Sequence, residues 1–169
     1  MTKNKVWNDD RKIVCVNIEE QNTRNGSKDI CIDCGGYCCT LGGVVATQNE
    51  VDAIIKLGYP NRFIQLSKDV YGIEWGKDGS CVYLKDGTCS IYSVRPLGCR
   101  VFPVVQTRNH EIILIKCPLA SHLSNDEVLK RKKTLIERPW YIIAESEHLR
   151  EDHIKDLEMR ATKYGHQKI

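Results

Sequence analysis

The sequence reads as a small single-domain α+β protein. Cys-rich loops and a β-hairpin sit under covering helices, and a helical extension follows at the C-terminal end. Three observations carry this. The 169 residues are 41% apolar and 28% charged, enough for one domain with a real core. Short β-branched runs alternate with two capping boxes that open helices. Nine cysteines are present, most of them gathered in the loops between these segments.

Ile13-Val14-Cys15-Val16-Asn17-Ile18 alternates like a strand, and Asn22 to Ser27 reads as a loop. Residues 1–30 thus form an N-terminal strand and loop segment. Residues 31–123 form the cysteine-rich domain. Within it, Thr47-Gln48-Asn49-Glu50 is a capping box that opens a helix with apolar Val51, Ile54, Ile55 and Leu57, stopped by Gly58 and Pro60. A second short helix is expected near Asn61 to Leu66. Ser80 to Leu84 and Thr88 to Tyr92 read as two strands joined by Lys85-Asp86-Gly87, the Asp-Gly signal of a tight hairpin. Arg95-Pro96, Gly98 and Phe102-Pro103 mark a bent loop, and Glu111 to Cys117 a buried strand.

Residues 124–169 form the C-terminal helical extension. Ser124-Asn125-Asp126-Glu127 opens one helix, which Pro139 interrupts. A second helix is expected to run to about Tyr164, with Ile142, Leu149 and Leu157 in a narrow apolar stripe. In a single domain such a stripe by default covers the core. Otherwise it meets a partner helix, which makes the C-terminal helices the place for a protein partner.

A net charge of +3 is too small to argue for nucleic acid or an anionic membrane. Lys130-Arg131-Lys132-Lys133 reads as a solvated helix face. No apolar run approaches the ~20 residues of a membrane span. The start of the chain is polar, so the cytoplasm is the expected compartment. In that reducing setting, clustered cysteines are read first as metal ligands or redox thiols rather than disulfides.

Cys31-x-x-Cys34-x-x-x-Cys38-Cys39 is the strongest signal. Two cysteines two residues apart can turn both sulfurs to one centre. Gly35 and Gly36 permit the sharp backbone path that wrapping needs. Cys81 and Cys89 flank the hairpin turn, Cys99 lies between Arg95 and Arg100, and Cys117 precedes Pro118. These eight thiols suit two four-coordinate sites, or one cluster with spare thiols. Four thiolates around Zn²⁺ or a [4Fe–4S]²⁺ core leave a charge of about −2. Arg95 and Arg100 are the candidates to offset it, unless they pair with carboxylates elsewhere. Spacing alone nearly balances zinc and iron–sulfur. The adjacent cysteines, Cys117-Pro118 and the arginines tilt the reading to iron–sulfur, with [4Fe–4S] favoured and Zn²⁺ the alternative.

Together, the Cys31–Cys39 cluster, Cys81, and Cys89-Ser90-Ile91-Tyr92-Ser93-Val94-Arg95-Pro96-Leu97-Gly98-Cys99-Arg100-Val101-Phe102-Pro103 resemble the YkgJ-type CxxCxxxCC cysteine-cluster proteins. These are described as zinc- or iron-chelating domains. A similar cluster occurs in flagellin lysine methylases, where it is associated with an iron–sulfur centre. The resemblance spans about Cys31 to Cys117 and implies metal binding without fixing an activity.

Among the remaining residues, Cys15 reads as a small buried apolar residue. His122 reads as a surface-loop residue rather than a replacement ligand, and His148 and His153 diverge on a helix. Trp7, Trp75 and Trp140 are too dispersed for a base-stacking platform. No phosphate loop, HExxH or Gly-x-Ser-x-Gly motif is present. Three functions stay open. The first is an iron–sulfur protein in electron transfer or cofactor handling. The second is a zinc-stabilised adaptor. The third is a protein-modifying enzyme distantly related to the methylases, which the absence of a Gly-rich loop after a strand makes the weakest.

Overall fold

The computed structural model describes residues 5–7, 13–15, 29–41, 44–107, 110–138 and 162–169. Helices and small antiparallel sheets make up a mixed α+β domain. At the N-terminal end, β1 (Lys5–Trp7) pairs antiparallel with β2 (Ile13–Cys15), in the segment whose alternation predicts a strand. A helical stretch over residues 29–33, α1, leads through two glycines into α2 (Tyr37–Thr40).

The first three-stranded sheet has the order β3-β5-β4, formed by β3 (Val45–Thr47), β4 (Phe63–Ser67) and β5 (Val70–Ile73). Central β5 buries Val70 and Ile73, and its register sets Val45 opposite Gly72 and Phe63 opposite Ile73. The helix expected near Asn61 to Leu66 is thus a strand. Asn61 spends its side chain on the Phe63 N–H, and Asp69 at φ 62° turns the chain directly back into β5.

Between β3 and β4 lies α3 (Gln48–Lys56), opened by the capping box that the sequence signals. Val51 and Ile54 are buried, whereas Ile55 and Leu57 face outward. Glu50 does more than cap. One carboxylate oxygen accepts from the Thr47 N–H at 3.0 Å, and the other accepts from the Leu97 N–H at 2.6 Å and from Arg100 at 3.3 Å. Glu50 therefore ties α3 to α4 (Leu97–Val101), the helix that carries Cys99. Glu50→Ala should cost about 2–3 kcal/mol, a fall of roughly 5–10 °C in Tm, with Glu50→Gln losing less. A thermal melt of the two variants checks this; equal losses would mean that the charge, not the acceptor geometry, matters.

The second three-stranded sheet has the order β10-β9-β8, from β8 (Val104–Gln106), β9 (Ile112–Ile115) and β10 (His166–Lys168). β9 buries Ile113, Leu114 and Ile115 and leads straight to Cys117. The sequence signalled β9 but neither of its partners. β10 is polar and exposed, so no apolar alternation marks it. α5 (Asn125–Ile136) opens at the second capping box and packs on β8 and α4.

Two residues of its basic run are structural rather than solvated. Arg131 donates to the carbonyls of Arg100 and Phe102 at the end of α4, and Lys132 donates to the carbonyl of Ile169. Lys130 and Lys133 of the same run are exposed, as the sequence reading expects. The expected helix beyond Pro139, with Ile142, Leu149 and Leu157, lies outside the described residues, as do Trp140, His148 and His153. Among the described residues, no helix is long and apolar enough to cross a membrane.

The core falls into neighbouring apolar clusters, two of which contain cysteines. Cys31 and Cys117 pack with Tyr37, Phe102, Ile113, Ile115 and Leu119. Cys39 and Cys81 pack with Ile54, Ile73, Tyr83 and Ile91. Cys38 lies against both.

Candidate metal centre

Cys31, Cys34, Cys38 and Cys39 are brought together by a loop with two consecutive left-handed glycines, Gly35 at φ 70° and Gly36 at φ 67°. L-residues rarely adopt this region, and two in a row reverse the chain sharply. The Gly36 N–H closes the turn on the Cys31 carbonyl at 2.9 Å, and the Cys34 thiol donates to the same carbonyl at 3.3 Å. Gly36 also lies flush against the hairpin. A Cβ there would stand 2.7 Å from Leu84 Cδ1 and 2.8 Å from the Gly87 carbonyl oxygen.

The hairpin itself is minimal: β6 (Leu84–Lys85) and β7 (Thr88–Cys89), with Asp86 at φ 49° and Gly87 at φ 73° in the turn. Both turn residues have positive φ, as the Asp-Gly signal implies. The longer strands expected over Ser80–Leu84 and Thr88–Tyr92 do not form. The neighbouring donors are spent elsewhere, the Val82 N–H on the Glu74 carbonyl and the Leu84 N–H on the Cys81 carbonyl at 2.9 Å, while the backbone of Tyr83 and Ile91 favours the thiolates of Cys81 and Cys89. Cys81 instead joins the first loop directly, its N–H donating to the Cys39 carbonyl at 2.8 Å. After Cys89 the chain turns through a 3₁₀ segment, Tyr92–Val94, into α4.

These elements enclose a small cavity of about 30 Å³. Its walls carry six thiols, Cys31, Cys38, Cys39, Cys81, Cys89 and Cys99, together with Arg95 and Tyr92. Cys39 is the hub, in hydrogen-bonding contact with the thiols of Cys38, Cys81 and Cys89. Its single S–H can serve only one of them at a time. Its own pKa is pushed up, whereas the contact lowers those of Cys38 and Cys81 and brings Cys89 down to about 7. Burial raises Cys99 well above the ordinary thiol range and Cys31 to about 11.

Arg95 is the nearby positive charge. Its guanidinium lies 3.7 Å above the Tyr92 ring, and it favours the thiolate forms of Cys31, Cys38, Cys89 and Cys99. The buried Tyr92 hydroxyl makes no hydrogen bond of ordinary geometry, yet it faces Cys31 closely enough to favour its thiolate. A donor lacking a good acceptor beside a thiol suits a site in which that sulfur carries charge. The donor set is thus soft and largely buried, which fits a thiophilic metal. Among the described residues, no group of three Cys, His, Asp or Glu side chains is arranged to hold a metal ion.

Cys34 and Cys117 are not on the cavity wall. They lie beside Cys31 and Cys38 in the adjoining core. Arg100 points away and pairs with Glu50, the carboxylate alternative open to it from sequence. His122 is exposed, its Nδ1 within 2.9 Å of the Pro118 carbonyl. The backbone of Cys15 is on β2, with its side chain outside the described residues. The sequence reading missed Tyr92 and the N–H groups that follow Cys81 and Cys89 by two positions. That i+2 spacing was the available signal.

Neither a curated protein nor a solved structure matches the chain. One family model does match, over residues 30–132, and its description is "Putative zinc- or iron-chelating domain". That span takes in α1, the whole thiol pocket, Cys117 and most of α5, more than half of the sequence, and the chain belongs to this CxxCxxCC family of zinc- or iron-chelating domains.

Proposed function

We propose that the protein holds an iron–sulfur cluster, [4Fe–4S] favoured, in the thiol pocket, and serves electron transfer or the handling of a redox cofactor in a reducing, cytoplasmic setting. The convergence of six thiols and Arg95 on one buried cavity carries this reading. A lone Zn²⁺ and a [4Fe–4S] cluster each need four thiolates, and the pocket offers enough for either. Hydrogen bonds to sulfur, burial and a nearby guanidinium are also the levers that set a cluster's potential. Four of Cys31, Cys38, Cys39, Cys81, Cys89 and Cys99 would supply the ligands, with Arg95 and the Tyr92 hydroxyl stabilising their charge. Bound there, the cluster would supply one-electron chemistry, and the chain's part is to exclude water and hold the thiolates.

Zinc is the second reading, favoured by the cavity volume of about 30 Å³, near the share of one water molecule. Anaerobic purification with iron, zinc and acid-labile sulfide analysis decides between them. Iron and sulfide in equal amounts with visible absorption support the cluster. Stoichiometric zinc without sulfide replaces it with a structural site and the adaptor role. Cys99→Ser should lose metal, whereas Cys15→Ser should keep the full load. Equal loss in both would sink the assignment of Cys15 as structural.

A protein partner for the C-terminal helices remains part of the proposal. Deleting everything after Pro139 would also remove β10. The cleaner test replaces Ile142, Leu149 and Leu157 together with Gln. Loss of a co-purifying protein with metal and folding intact supports docking, and aggregation supports a core-covering stripe.

A further inference from the structure

We propose that Asp86, at the tip of the β6–β7 hairpin, is a modification site: the Gly87 nitrogen attacks its carboxyl group, the link through Asp86 becomes isoaspartyl, and Cys89 is drawn off the thiol pocket. The modification stands on the hairpin alone. Its effect on metal rests on the reading above that the thiols bind metal.

The described residues include two Asp-Gly pairs, Asp78-Gly79 and Asp86-Gly87. Glycine has no Cβ to shield its nitrogen, so both pairs can react in this way. The fold separates them. One Asp78 carboxylate oxygen accepts from the Ser80 N–H at 3.1 Å and from the Ser80 hydroxyl at 2.6 Å. The Gly79 N–H donates to the Gly76 carbonyl at 2.9 Å. Electrophile and nucleophile are thus both held. Among the described residues, neither the Asp86 carboxylate nor the Gly87 N–H has a hydrogen bond, and Asp86 has no ion pair. Asp86 is also exposed. The ladder beneath it is only Leu84 with Cys89 and Lys85 with Thr88, in a sheet of two strands, so the turn opens at little cost.

The chemistry needs no co-reactant but water. The Gly87 nitrogen adds to Cγ of the protonated Asp86 carboxyl group. A C–N bond forms, the bond from Cγ to the hydroxyl breaks, and the hydroxyl leaves with the amide hydrogen as water. The resulting five-membered succinimide takes one water back. Opening at Cγ restores aspartate, and opening at the main-chain carbonyl leaves isoaspartate with its mass unchanged.

Isoaspartate routes the main chain through Cβ and Cγ of Asp86, one carbon longer than before. A two-residue turn with positive φ at both positions has no slack for it. The Gly87 carbonyl oxygen already lies 2.8 Å from where a Gly36 Cβ would stand, so the turn cannot bulge toward the cysteine loop. The extra carbon therefore shifts β7, which ends at Cys89 on the cavity wall.

Anaerobic ageing of the full-length, reduced, metal-free chain at neutral pH tests the proposal. Labelling by an isoaspartyl methyltransferase counts the product, and peptide mapping by electron-transfer fragmentation places it. Isoaspartate should appear at Asp86 roughly tenfold or more faster than at Asp78, the factor that the hydrogen bonds of Asp78-Gly79 imply. Cobalt(II) uptake, read by the sulfur-to-cobalt charge-transfer band, should fall in step with the modification. Asp86→Gly keeps the turn as Gly-Gly and should age without that loss. Isoaspartate no faster at Asp86 than at Asp78 overturns the site. Equal cobalt loss in Asp86→Gly, or full uptake by the isomerised chain, overturns the link to Cys89 and leaves the metal-binding reading standing. No cobalt uptake by the fresh wild type overturns that reading, while the peptide map still decides the modification.

Discussion

Cys39→Ser should empty the pocket and unfold the domain around it. Cys39 is 7% exposed, touches three other thiols, and its carbonyl holds the backbone of Cys81. Thiolate metal sites of this kind contribute an apparent ~10–16 kcal/mol when the apo form is disordered. The net stability of an ordinary domain is only about 5–15 kcal/mol. Losing the metal therefore removes as much free energy as the whole domain has to spare. Both cysteine-bearing clusters should lose protection together, because Cys38 and Cys39 join them. Hydrogen exchange and metal analysis of Cys39→Ser, beside wild type treated with a strong chelator, provide the check. The two should look alike. A Cys39→Ser protein with full metal and a Tm within about 2 °C of wild type would remove Cys39 from the centre.

Gly36→Ala should be the most damaging glycine substitution near the site, at about 2–5 kcal/mol. It combines a left-handed backbone with a Cβ driven to 2.7 Å from Leu84 and 2.8 Å from a carbonyl oxygen, where backbone cannot yield cheaply. Gly35 has nearly the same φ, but open space where its Cβ would go. Gly35→Ala should cost only the conformational penalty, about 1–2 kcal/mol. The pair separates strain from packing. Denaturant unfolding of the metal-loaded variants measures the gap, and equal costs would mean that the close approach of loop and hairpin does not matter.

Much of this site was legible in the sequence because its signals are local. Cys-x-x-Cys, the double glycine and Asp-Gly each fix a turn within a few residues, and each turn is present. Both capping boxes likewise predicted their helices at the right residues. What escaped were elements whose reason lies elsewhere in the chain. β10 is a polar strand that exists because β9 offers it an edge. The strands around Cys81 and Cys89 were overread because the backbone there bonds to Cys39 and Glu74 rather than across the hairpin. Arg100 sits as close to Cys99 in sequence as a charge partner could, yet its partner is Glu50, fifty positions away. Arg95 and Arg100 look equivalent along the chain. Arg95 precedes the short helix α4 and meets the thiols, whereas Arg100 lies within it and meets a carboxylate.

The pairing of β10 bears on how the protein is best handled at the bench. Gly165 accepts from the Lys116 N–H at 3.0 Å, one residue before Cys117, and Ile169 donates to Ile112 at 3.2 Å. A purification tag fused after Ile169 would leave from this edge strand and tug on the segment that presents Cys117. Removing such a tag should therefore change how much metal the protein retains through chromatography, and a fusion at this strand becomes a variable to control before any metal count is compared.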